Sequence, residues 1–310
     1  MERIKLIRNQ LESNKLRQVW VTKNIEAIEF IKKGNLKGKT LFITGASRGI
    51  GLAIALRAAK DGANIAIAAK TVTEQKTLPG TIYTAAEEIR KAGGNALPIQ
   101  CDIRDVESLQ KAVDLTVKTF GGIDILVNNA SAINLSPSEE LDIKKLDLMH
   151  NINFRGTFIC SKFCLPHLKK SDNPHILMIS PPLDQITKET WFKDHVGYSI
   201  AKFGMTLCVL GLAGEFKKYN ISVNTLWPRT SISTAAVKNL LGGDAVMKVS
   251  RKPEIMGDAA YAILTSDSSV STGKYYIDDE VLVSDGVEDF SIYNSDQNSK
   301  ITDLQPDFFV

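Results

Sequence analysis

Between Lys39 and Ile277 short apolar runs alternate with longer amphipathic ones. The short runs are TLFIT (40–44), NIAIAA (64–69), ALPIQC (96–101), DILVNN (124–129), HILMIS (175–180), ISVNTL (221–226) and YYI (275–277). Helical spacing fills the intervals near 50–60, 81–92, 105–119, 140–168 and 197–218. Strand runs that are apolar throughout belong to strands covered on both faces. Strands alternating with helices of this length predict a parallel sheet. With right-handed crossovers, the expected fold is α/β: a doubly wound parallel sheet of Rossmann type, about seven strands, with helices on both faces.

The flanks differ from this core. Residues 1–35 are expected to form a helical N-terminal extension, because Ile4, Ile7, Leu11, Ile25 and Ile28 recur at helical spacing. Its first 33 residues carry eight Lys/Arg against four Asp/Glu. A mitochondrial transit peptide is basic but poor in acid, and Glu2, Glu12, Glu26 and Glu29 count against one. A packed or partner-facing helix is the alternative. The central domain is expected over 36–286. Residues 287–310 read as a polar tail or linker, or as a surface-wrapping extension, acidic and carrying Pro306.

Composition narrows the class. The 310 residues are 44% hydrophobic and 24% charged, which excludes a wholly disordered chain and a disulfide scaffold. The net charge of +3 gives no basic excess of the kind nucleic-acid binding needs. No run approaches the roughly 20 apolar residues of a transmembrane helix. Cys101, Cys160, Cys164 and Cys208 form no CxxC pair and are expected as buried thiols in a reducing compartment, with no metal set among them. Mitochondrial and cytoplasmic locations both stay open. Val310 is not a peroxisomal SKL-type ending.

The chemistry starts after the first strand, at TGASRGIG (44–51). Gly45, Gly49 and Gly51 let the backbone approach a pyrophosphate at a helix N-terminus. The second strand ends in Lys70, where a preference for NAD calls for an acidic residue on the ribose. Lys70 and Arg48 together suit a 2′-phosphate, so the expected cofactor is NADP(H). Asp102 and Asn128 end the third and fourth strands, at the carboxyl edge where ligands bind. Tyr198 and Lys202 share one face of a helix, four residues apart. An ammonium beside a phenol draws the phenol pKa down toward neutrality and makes it a usable acid or base.

Taken together, TGASRGIG, NNAS (128–131), NINFRGTF (151–158) and YSIAK (198–202) resemble the short-chain dehydrogenase/reductase family over about residues 38–286. The resemblance places Ser47, Arg48 and Ile50 beside the phosphates, Asp102 at the adenine, and Asn128 and Ala130 behind the ribose. It makes Asn153 the holder of a proton-relay water and Tyr198 the proton donor to a carbonyl. Lys202 then binds the nicotinamide ribose, and Pro228 lies near the nicotinamide. A narrower resemblance, to a member that continues into a sterol-carrier domain, is carried by ISPPL, WFKDH, LWPRT and LQPDFF.

Two departures stand out. The family serine lies about 13 residues before the tyrosine, but Ser180 is 18 before Tyr198 and is followed by Pro181-Pro182. Ser180 therefore enters the catalytic set only if the prolines re-aim it, with Thr187 and Thr190 as substitutes. Arg229 stands where most members have glycine, with cofactor, substrate and solvent all open as its direction.

The function this implies is hydride transfer between nicotinamide and a carbonyl or alcohol. Trp191, Phe192 and the prolines point to an apolar, lipid-like substrate. The alternative is a nucleotide-binding or lipid-handling module with vestigial catalysis. Apolar surface on the helices at 140–168 and 197–218 leads to an expected homodimer or homotetramer.

Overall fold

A computed structural model describes residues 30–75 and 78–310. The extension expected over 1–35 lies almost wholly outside the described residues. Seven parallel strands form one sheet in the order β3-β2-β1-β4-β5-β6-β7. They are β1 (Thr40–Thr44), β2 (Asn64–Ala69), β3 (Asn95–Gln100), β4 (Ile125–Asn128), β5 (His175–Ile179), β6 (Ser222–Trp227) and β7 (Tyr275–Ile277). Strand order reverses between β1 and β4, so their carboxyl ends open a crevice at that switch point.

The central strands β1, β4, β5 and β6 are buried along their whole length, as their apolar runs require. Pro98 is tolerated in β3 because β3 is an edge strand that pairs only with β2. Helices cover both faces: α1 (Gly49–Ala59), α2 (Ile82–Lys91), α3 (Val106–Phe120), α4 (Ile143–Met149), α5 (Thr157–Leu168), α6 (Val196–Phe216), α7 (Glu254–Leu264) and α8 (Asp278–Ser284). Small residues let α1 and α7 approach closely, and a Cβ on Gly257 would fall 2.8 Å from the Ala53 carbonyl oxygen.

The single helix expected over 140–168 is interrupted. A π-helical stretch, His150–Gly156, joins α4 to α5. One residue more per turn re-aims the side chains that follow, and such bulges recur at functional sites. Here the stretch contains Asn153.

The sequence reading also missed how apolar α6 is. Val196–Tyr219 is long and apolar enough to cross a membrane, but 67% of that window is buried in the protein. Its apolar character is that of a core helix, with Met205, Val209 and Leu212 against the sheet. A second face carries Ile200, Leu207 and Leu210, each about half exposed.

Residues 287–310 pack back onto the domain, as a surface-wrapping extension would. Tyr293, Leu304 and Phe309 are buried. The segment returns along the loop after β6: Ser231 donates to the Gln305 carbonyl at 2.8 Å, and Asp307 donates to the Arg229 carbonyl at 3.0 Å. Its polar composition hides a few apolar anchors, too sparse for any periodicity.

Candidate active site

The glycine turn is built as a cradle. Gly45 (φ +68°) and Gly49 (φ +58°) occupy the left-handed region that only glycine enters without strain. A Cβ on Gly45 would meet Ala130 Cα at 2.9 Å, and one on Gly51 would meet Asn129 Nδ2 at 2.5 Å. The crowding partner is Asn129, whose amide donates to the carbonyls of Thr44 (2.9 Å) and Gly45 (3.2 Å). Thr44 Oγ1 answers by accepting the Asn129 and Ala130 N–H groups at 3.0 Å each. These four bonds lock the end of β1 to the end of β4.

The N-terminus of α1 differs from its neighbours. Thr81 caps α2, and Asp105 caps α3, each accepting two backbone N–H groups. Arg48 precedes α1 and gives no side-chain cap. The first-turn N–H groups of α1 are thus left for an anion, beside a backbone with no Cβ to obstruct it. Ser47 is buried, and Ile50 is half-buried.

The adenosine side is only partly as expected. Lys70 Nζ lies 3.8 Å from Asp102 Oδ2. Arg48 turns instead to the chain beside it, donating to the carbonyls of Pro79 (2.9 Å) and Gly80 (2.5 Å). A cation the sequence reading passed over, Arg104, forks onto Asp102 through Nε (3.0 Å) and Nη2 (2.6 Å). Its hydrogen bonds hold the Asp102 carboxyl below the usual range despite partial burial. Asp102 and Arg104 line an open depression with Asp105 and Asn151.

Asn128 and Asn153 are both buried and engaged within the protein. Asn128 Nδ2 donates to Ser161 Oγ at 3.2 Å, while its buried Oδ1 has no partner among the described residues. Asn153 grips the backbone of Ala132, accepting its N–H (2.8 Å) and donating to its carbonyl (3.0 Å). The π-helical stretch therefore fixes the chain leaving β4.

Tyr198 and Lys202 lie on the first turns of α6, as their spacing requires. Lys202 Nζ donates to the Ile179 carbonyl at 2.7 Å and sits 5.0 Å from the Trp227 ring centroid. Thr206 donates to the Pro181 carbonyl at 2.7 Å. Pro181 and Pro182 have no N–H, so β5 ends there. Its last carbonyls are taken by α6. Ser180 lies between those two grips, fully buried, with Oγ unpartnered among the described residues. Thr187 is exposed and Thr190 half-buried.

The expected depression of the tyrosine pKa is reversed. Burial, with a smaller push from the Asp307 carboxylate, raises the Tyr198 phenol well above its ordinary value. Burial lowers Lys202 to about 7. The physical reason is the covering segment: Phe309 stacks on Tyr198 at 6.0 Å between ring centroids, and Phe308 meets it edge-on at 6.4 Å. In the sequence both rings counted only as part of LQPDFF, with no link to Tyr198.

Arg229 points away from the crevice. Its N–H donates to Asp278 (2.9 Å), and Nε to Asp279 (2.8 Å); Nη2 reaches Glu280 in the first turn of α8. Burial opposes its charge, but Asp279 and Glu280 hold the guanidinium above its ordinary pKa. Pro228 is buried beside it. Thr234 completes the return of this loop, its methyl 3.3 Å from where a Gly49 Cβ would stand.

This geometry coincides with a known family. The sequence model of short chain dehydrogenases matches residues 39–242. The chain belongs to the short-chain dehydrogenase/reductase family. Members of this family are oxidoreductases that use a nicotinamide cofactor. Hydroxysteroid dehydrogenase-like protein 2 of Danio rerio is 56% identical over 277 residues, and that of Homo sapiens 54%. The match covers 89% of this chain but only 65% and 64% of those relatives, so the chain spans about two thirds of their length. Among solved structures, a putative dehydrogenase from Xanthomonas campestris superposes with TM-score 0.85 at 51% identity, covering 89% of this chain and 99% of that one. A short-chain dehydrogenase from Mycobacterium thermoresistibile gives 0.83 at 53%, covering 89% and 96%.

Proposed function

We propose that this short-chain dehydrogenase/reductase is an NADP(H)-dependent enzyme acting on a carbonyl or alcohol of an apolar, lipid-like molecule. The nicotinamide supplies or accepts the hydride. Tyr198 supplies the proton to the carbonyl oxygen in reduction and removes it from the alcohol in oxidation. The observation that supports this reading is the Lys202 hydrogen bond to the Ile179 carbonyl, which ties the Tyr198–Lys202 turn of α6 to the end of β5, on the same carboxyl edge of the sheet as the glycine turn. Reduction draws on the protonated phenol, although the burial that raises its pKa also makes it a weaker acid. Lys202 keeps one donor on Ile179 and its ammonium end beside Trp227, and is assigned the nicotinamide ribose.

The pyrophosphate would rest on Gly45, Gly49 and the uncapped first turn of α1. Lys70 and Arg104 flank Asp102 and supply positive charge for a 2′-phosphate; Arg48 contributes mainly by holding the 79–80 loop. Trp191, Phe203, Trp227, Phe308 and Phe309 supply the apolar surroundings of Tyr198 and motivate the substrate class. Ile200, Leu207 and Leu210 form the half-exposed stripe on α6 that we assign to a two-fold contact between copies.

Ser180 favours a second reading. Its buried Oγ reaches no partner among the described residues, Tyr198 included, and a missing oxyanion donor costs roughly 2.7–4 kcal/mol of transition-state stabilisation. A nucleotide-binding or lipid-handling module with vestigial catalysis fits that observation. Titration with NADPH and NADH, followed by nicotinamide fluorescence and then by NADPH consumption with aliphatic aldehydes and ketones, separates the readings. Selective NADPH binding with turnover supports the first. Selective binding without turnover supports the second, and equal or tighter NADH binding removes the 2′-phosphate assignment.

A further inference from the structure

Successive side chains of an extended segment point to opposite sides. Phe308 and Phe309 do not: both rings reach Tyr198. The backbone makes this possible at Phe309, where φ is +66°. A left-handed conformation costs an L-residue with a Cβ roughly 1–2 kcal/mol. Such strain persists only where the surroundings over-determine it, and it gathers at functional sites.

The surroundings here do so. Phe309 is fully buried, with ring centroids 5.2 Å from Phe203 and 5.8 Å from both Trp191 and Trp227. The Trp227 indole donates to the Phe308 carbonyl at 2.6 Å, fixing the residue just before the turn. Phe309 is the anchor. Phe308 is only partly buried, and its ring stands between Tyr198 and His195, the residue just before α6. The strained turn thus sets a second, only partly buried aromatic ring against the tyrosine.

We propose that residues 305–310 form a fixed wall of the substrate site, and that Phe308 determines which carbonyl compounds reach the Tyr198 hydroxyl. The inference rests on the oxidoreductase reading above and deepens it. The substrate's apolar body lies against the Phe308 ring while its oxygen meets Tyr198. The ring limits the bulk that can sit beside the reacting carbon.

The test compares the intact protein with Phe308→Ala and Phe308→Trp, using aliphatic aldehydes and ketones of increasing length and branching. A half-buried position at the edge of the fold tolerates both changes, and melting temperatures check this. Phe308→Ala is expected to raise the ratio of kcat/KM for bulky over small compounds at least tenfold, and Phe308→Trp to lower it. NADPH affinity should stay within twofold. Equal scaling of all compounds in both variants overturns the proposal.

If the intact protein consumes no NADPH with any compound, the oxidoreductase reading fails, and the wall is read by equilibrium binding. The probe is then 1-anilinonaphthalene-8-sulfonate, displaced by the same compounds. A changed order of displacement in Phe308→Ala upholds the wall. An unchanged order, or no probe binding in any protein, overturns it as well.

Discussion

Lys202 donates a 2.7 Å hydrogen bond to the Ile179 carbonyl, the residue immediately before Ser180. The buried lysine thereby fastens α6 to the end of β5, beside the ribose contact proposed for it. Two variants separate these roles from that of the tyrosine. Tyr198→Phe keeps the rings of Phe308 and Phe309 in contact and should fold normally. It should lower kcat/KM on the order of 10²–10⁴-fold, the ordinary contribution of general acid–base catalysis. NADPH affinity should be nearly unchanged. Lys202→Met should instead weaken NADPH binding and lower the melting temperature together. Full turnover by Tyr198→Phe would remove it from the chemistry.

Gly51→Ala places a Cβ 2.5 Å from the amide of Asn129, which cannot swing away without releasing Thr44 and Gly45. Overpacking of this kind costs about 1–3 kcal/mol. Calorimetry should show that loss, and nicotinamide fluorescence should show weakened binding of both cofactors. A variant with native stability and native affinity would mean that the cradle relaxes freely.

Lys70 is half exposed, and its ion pair with Asp102 is long. Lys70→Glu should cut the preference for NADPH over NADH at least about fivefold, since an exposed charge contact is worth up to about 1 kcal/mol and the reversed charge adds repulsion. The ratio of the two dissociation constants, at two salt concentrations, reads this directly. An unchanged ratio would shift the 2′-phosphate assignment to Arg104 alone.

The Asp307 carboxyl is pushed up to about 7, mainly by burial and further by Asp278, against the pull of Lys202. Its folded-state value therefore lies above the ordinary 3.8. Between about pH 4 and pH 7 the folded protein holds a proton that the unfolded chain has lost. The stabilisation is complete below that window and is lost as pH rises through it. Asp307→Asn lacks this term. Its melting temperature, relative to the parent, should climb from pH 4.5 to pH 7. A flat or falling difference would contradict the assignment.

On α6, Leu207 and Leu210 lie on the exposed face, and no side chain lies within 4 Å of where a Cβ would stand on Gly211 or Gly214. Leu207→Glu with Leu210→Glu should leave the monomer fold intact and halve or quarter the mass seen by light scattering. A parent protein that is already monomeric would refute the contact.

The strands TLFIT, NIAIAA and YYI were legible to the residue, because burial on both faces leaves a continuous apolar run as its trace. The positions of the glycine turn and of the Tyr198–Lys202 pair were legible because spacing sets the one at a strand-to-helix turn and the other on a single helix face. Asn129 was not, since nothing local distinguishes it from Asn128: which of two adjacent amides turns toward β1 is decided by the strand's last pleat. Arg104 was missed because its role depends on reaching back two residues to Asp102. The direction of Arg229 depended on three acids brought near by β7 and α8. Phe308 and Phe309 gave no periodic signal, because a single left-handed residue rather than a repeating element aims them.

Phe309 meets Tyr198 across the whole span of chain from the start of α6 to residue 309. During synthesis, the sheet, the glycine turn and α6 all emerge before the segment that covers the tyrosine. A nascent chain can thus take up its nucleotide-binding crevice while Trp191, Trp227 and Tyr198 are still bare to water. The aromatic cover of Tyr198 therefore forms only once residues 305–310 have left the ribosome, later than every strand of the sheet.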